Sequence, residues 1–163
     1  MRNLTSKISL MGLLFALAMA FSYLESMVTI PGMLPGIRLG LSNLVTMYCL
    51  FFLGKGAGYT MAVMKSLFVL LTRGFVAGLL SLSGGILSVT AILLVDWLTK
   101  RTLHYITLSV LGAVFHNVGQ LILARFLTSV FLYYYIPVLI LSGLVVGMLT
   151  GKIFVWIIPY LPE

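Results

Sequence analysis

The residues able to do chemistry are few, and most stand inside apolar runs. They are Glu25, Arg38, Asn43, Lys65, Arg73, Ser83, His116, Asn117, Gln120 and Arg125. Cationic and amide side chains dominate this set, and Glu25 is its clearest acidic counterweight. Such a set binds rather than transforms. It suits a small polar, anionic or zwitterionic organic molecule, with Glu25 meeting a donor or cationic part. His116 and Gln120 are four residues apart and share a helical face; Lys65 and Arg73, eight apart, lie close to one face. A charge at the centre of a bilayer costs about 2.5–3.5 kcal/mol, so residues that carry this cost face a cavity or one another.

The chemistry the chain lacks is equally informative. No Ser-His-Asp or Cys-His set is present, and no Gly-rich loop ends in Gly-Lys-Ser/Thr, so ATP hydrolysis is not expected of this chain. Cys49 is the only cysteine and builds neither a disulfide nor a metal cluster. No catalytic residue, metal or cofactor is assigned. The net charge of +7 comes from basic residues scattered singly or in pairs, with no stripe or zinc-finger spacing. Nucleic acid is therefore not an expected partner.

The elements that position these residues follow from composition. Of 163 residues, 61% are hydrophobic and 8% charged, against roughly 25% charged in soluble domains. A spanning helix needs about 20 residues, so six spans and short loops use the whole chain. The expectation is an all-α polytopic bundle of about six transmembrane helices, one domain over 1–163. The spans read as Ile8–Thr29, Ile37–Leu53, Ala57–Thr72, a segment within Phe75–Leu98, Tyr105–Thr128 and Tyr134–Ile158. Ser81–Gly85 is a candidate kink or close-packing point. Strands are disfavoured because the apolar runs are long and unbroken, and helices satisfy their own backbone in lipid. Arg2 and Lys7 before an apolar run resemble a signal peptide, but the run continues past Ala18-Met19-Ala20 and reads as a retained helix.

With six spans, Arg2, Lys7, Lys55, Lys100, Arg101 and Lys152 share one side with both termini. The positive-inside rule places that side in the cytoplasm of a multi-pass cell-membrane protein. The polar residues then fall in the middle or outer half, as a chamber opening outwards. Small residues recur every fourth position at Gly12, Ala16 and Ala20, and at Gly143, Gly147 and Gly151. Such faces let backbones approach closely, within the bundle, against a copy of the chain or against another membrane partner.

The stretch Pro35-Gly36-Ile37-Arg38-Leu39-Gly40-Leu41-Ser42-Asn43-Leu44-Val45-Thr46 resembles the hallmark segment of the heptaprenyl diphosphate synthase component I family, also called the Gx transporter family. Glu25, Ser83-Gly84-Gly85 and the segment Gly112 to Leu121, with His116-Asn117 and Gln120, are similar to further family segments. The resemblance covers essentially the full chain. It departs in Arg38, where members usually have Lys, and in Ser42, where they have Ala; Arg and Lys differ in hydrogen-bond geometry. The family is in turn similar to the substrate-binding subunits of energy-coupling-factor transporters. That likeness implies six helices, capture of vitamin-like solutes from outside, and a covering loop at Ile30–Gly36. It also implies a transmembrane coupling subunit with two ATPases, met by an Ala-x-x-x-Ala face matching Ala16 and Ala20. The family's other name implies an accessory membrane component of heptaprenyl diphosphate synthesis. Prenyl diphosphate synthases carry two Asp-rich motifs for magnesium and diphosphate, whereas Asp96 is the only aspartate here.

Overall fold

A computed structural model describes residues 4–27, 40–100, 102–127 and 136–160. Its elements are α1 (Leu4–Met27), α2 (Leu41–Tyr48) continuing as a π-helical turn (Cys49–Leu53), α3 (Lys55–Arg73), α4 (Phe75–Leu98), α5 (Tyr105–Leu127) and α6 (Ile136–Ile157), ending in a 3₁₀ turn (Ile158–Tyr160). No strand occurs among the described residues. Four helical segments are long and apolar enough to cross a membrane: Thr5–Glu25, Phe75–Leu98, Tyr105–Leu127 and Ile136–Tyr160. The all-α membrane bundle of about six helices is therefore the observed architecture.

The second and third elements differ from that pattern. The described second helix begins at Leu41, not Ile37; residues 37–39 lie outside the described part. Its α-helical portion is 8 residues and the π turn 5, so together they fall short of the length a crossing requires. Gly40 precedes it with φ of 73°, a left-handed conformation that glycine adopts without penalty. A Cβ there would also stand 2.8 Å from Val146 on α6. The third helix has 19 residues, about 28 Å at 1.5 Å per residue, and carries Lys65 near its middle.

Chain direction alternates from one helix to the next, and the close approaches give the register. Gly58 meets Leu50, Gly78 meets Leu70, Gly84 meets His116 and Gly151 meets Ile106. All four pairs are antiparallel neighbours. The ends of α1, α3 and α5 and the starts of α2, α4 and α6 therefore lie together, at what we call the Glu25 end. The opposite, Lys55 end holds a cluster of aromatic rings. Tyr105 lies 5.1 Å from Phe51 and 5.4 Å from Phe154, and Tyr48 stacks on Phe52 at 5.0 Å. Edge-to-face and offset pairs of this kind add to simple burial.

The two small-residue stripes have different fates. Gly143, Gly147 and Gly151 all face α5, where a Cβ on Gly147 would come within 2.5 Å of the Val110 Cα. Gly12, Ala16 and Ala20 are exposed, and a Cβ on Gly12 would meet nothing within 4 Å. Ser81–Gly85 lies inside an unbroken α4, so it is a close-packing point: a Cβ on Gly84 would stand 2.8 Å from the His116 carbonyl oxygen. Trp156 and Tyr160 are exposed at the Lys55 end, as an interfacial belt requires.

Gly147→Ala is expected to destabilise the bundle by about 1–3 kcal/mol through overpacking. Gly12→Ala should leave the isolated protein within about 0.5 kcal/mol of the parent. Thermal unfolding of the two variants in the same detergent checks the contrast.

Candidate binding cavity

α1 is placed so that its inner face carries Ala18, Ser22 and Glu25, spaced for one side of a helix and all buried. Glu25 accepts a hydrogen bond from the backbone N–H of Ser42 at 3.2 Å. This N–H belongs to the first turn of α2, where intrahelical partners are missing and the helix end favours negative charge. The next residue, Asn43, accepts a 2.7 Å hydrogen bond through Oδ1 from the ammonium of Lys65. Lys65 is only 9% exposed, so this charge-assisted bond acts where water is scarce. The first turn of α2 thus meets both ionisable groups, Glu25 from α1 and Lys65 from α3.

These residues border a polar cavity of about 60 Å³, which Ser22, Ser81, His116, Asn117, Gln120 and Ser142 also line. A narrower extension of about 30 Å³ runs deeper between Thr46, Ser88, Ser109 and Thr150. That volume suits a few ordered waters. Hydroxyls from several helices line the extension, and Ser109 and Thr150 join at 2.9 Å between α5 and α6.

Six of the residues read from the sequence come together here: Glu25, Asn43, Lys65, His116, Asn117 and Gln120. Asn117 has a second duty, since its Nδ2 donates to the Leu139 carbonyl oxygen at 2.7 Å and ties α5 to α6. The others are placed differently. Ser83 is turned towards α5, donating to the Gly119 carbonyl oxygen at 2.9 Å; Ser81, two residues earlier, lines the cavity instead. Arg73 donates from Nη2 to the Ser22 carbonyl oxygen at 2.9 Å, while its Nη1 is buried without a hydrogen-bond partner. It closes the α1–α3 seam beside the cavity. Arg125 is exposed at the end of α5. Arg38 lies outside the described residues.

Sequence reasoning passed over Ser22, Ser42, Ser81, Ser88, Ser109 and Thr150. Their signal was spacing: Ser22 precedes Glu25 by three residues, and Ser81, Gly85 and Ser88 lie along one face of α4. Among the described residues, no three His, Cys, Asp or Glu side chains gather closely enough to hold a metal ion. What the arrangement can do is offer a carboxylate, an ammonium, an imidazole and several amides and hydroxyls to one small polar guest.

A profile of the heptaprenyl diphosphate synthase component I family matches residues 14–155. The chain belongs to that family. The matched stretch begins within α1 and ends within α6, so every cavity-lining side chain falls inside it. Neither a curated protein nor a solved structure matches the chain.

Glu25→Gln keeps an acceptor for the Ser42 amide and is expected to hold stability within about 1 kcal/mol. Glu25→Ala strands that buried N–H and should cost about 1–3 kcal/mol. Unfolding midpoints in detergent separate the two outcomes.

Proposed function

We propose that this chain is a membrane subunit that binds a small polar, anionic or zwitterionic organic solute and takes part in its passage across the cell membrane. The observation that supports this reading best is the convergence of Glu25, Asn43, Lys65 and His116 on one cavity within an apolar bundle. Two buried ionisable groups are costly in such a setting, and a binding role accounts for that cost. In this proposal both termini are cytoplasmic and the cavity faces outwards. Drug-sized ligands occupy pockets of about 300–1,000 Å³, so the helices around the cavity separate to admit an organic guest. The exposed face of Gly12, Ala16 and Ala20 is the proposed contact for a transmembrane energy-coupling subunit that works with ATPases. Arg73 and Arg125 then attract anionic solute towards the cavity without lining it.

A second reading is favoured by the family's description as a heptaprenyl diphosphate synthase component. On that reading the chain is an accessory membrane subunit that holds a soluble synthase or its lipid product at the bilayer. The lone Asp96 gives it no Asp-rich motif of its own, so the transfer chemistry would reside in the partner.

Native mass spectrometry of the gently purified protein is expected to find a retained small molecule. Lys65→Ala and His116→Ala should each weaken its binding about tenfold or more, the loss of one charge-assisted hydrogen bond. Unchanged affinity in both variants overturns the site assignment. For the second reading, cells without this chain should lose prenyl chain length or amount; normal products would count against it.

A further inference from the structure

The Lys55 end of the bundle carries a separate crevice of about 300 Å³. It lies between the turn from α2 to α3 and the turn from α4 to α5, away from the Glu25–Lys65 cavity. Its floor is apolar, with Leu93 and Leu108, and its rim holds Lys55, Asp96, Trp97 and Tyr105. We infer that this crevice binds a phospholipid with an ammonium head group, of the phosphatidylethanolamine kind.

Three features carry the assignment. The first is depth. The lining comes from helix ends, which in a spanning bundle lie where acyl chains give way to head groups. Leu94 and Leu98, beside Asp96 and Trp97, are 53% and 62% exposed and so turned to the surrounding lipid. The second is the division between floor and rim. A soluble anion would leave the half-buried Leu93 without an apolar neighbour on its open side, whereas an acyl chain lies against it in van der Waals contact.

The third is charge. Lys55 and Asp96 have opposite signs on one rim, which matches a head group that carries both. Phosphate oxygens meet the Lys55 ammonium by charge-assisted bonds, and the first turn of α3, whose cap Gly54 offers no side chain, adds backbone N–H donors. The lipid ammonium meets the Asp96 carboxylate and the ring face of Trp97 or Tyr105. Asp96 already has a contact in the fold, and a carboxylate has lone pairs for a further donor. A purely anionic head group gains Lys55 and is opposed by Asp96.

Two single-tryptophan variants test the assignment. Trp156→Phe leaves Trp97 in the crevice. Trp97→Phe leaves Trp156, which is 77% exposed at the same end and reports bulk lipid. Both are reconstituted in phosphatidylcholine vesicles with a minor fraction of brominated phosphatidylethanolamine or brominated phosphatidylglycerol. Trp97 should be quenched more strongly by the ethanolamine lipid, by about two- to fivefold in apparent binding, the size of one partly exposed ion pair. Trp156 should show no preference. Asp96→Asn should remove the preference, and Lys55→Ala should weaken the excess quenching by either lipid. Equal quenching of Trp97 by both lipids, a preference for the glycerol lipid, or the same behaviour at Trp97 and Trp156 overturns the proposal.

Discussion

Two ionisable side chains are held inside the bundle by the first turn of one short helix. Glu25 accepts a hydrogen bond from the Ser42 amide, and Lys65 donates one to the Asn43 side-chain oxygen. A charge removed from water is retained only where hydrogen bonds replace its hydration. The start of α2 supplies them because its first amides have no partner within the helix. A helix that crossed the full bilayer would carry this turn to the interface. Because α2 starts level with Lys65 and Glu25, its polar end sits among α1, α3, α5 and α6. The Glu25 and Lys65 sides of the cavity are tied together through that turn.

Around this polar centre the bundle is tightly packed on one side and leaves a small-residue face exposed on the other. α4, α5 and α6 pack backbone to backbone through Gly84, Gly119 and the Gly143–Gly147–Gly151 stripe. In lipid there is no hydrophobic drive between helices, so close contact and interhelical hydrogen bonds such as Ser109–Thr150 take its place. α1 contributes one buried face through Ala18, Ser22 and Glu25 and leaves its small-residue face uncovered. The aromatic cluster of Phe51, Tyr105 and Phe154 packs at the Lys55 end.

The family description speaks of synthesis, and the chain's own residues speak of binding. These are compatible if a partner performs the chemistry. The chain itself carries one aspartate and no Ser-His-Asp or Cys-His set. Its exposed α1 face and its polar cavity lie on different parts of the structure, so each can be altered by mutation without touching the other.

Much was determined by the sequence alone. Long apolar runs with few charges leave helices in lipid as the stable solution, and the start read for the fifth span, Tyr105, is where α5 begins. The isolated polar residues Glu25, Lys65, His116 and Gln120 marked the interior because their burial is costly anywhere else. Tertiary structure decided the rest. Hydropathy could not show that the second helix begins only at Leu41, since Ile37 and Leu39 are as apolar as a span requires. Spacing could not rank Ser81 above Ser83, because small polar residues satisfy themselves within a helix and leave no energetic signature until a neighbour is placed beside them. Nor could identical stripes of small residues reveal which packs against α5 and which stays bare. Backbone proximity is a property of two helices, and each stripe belongs to one.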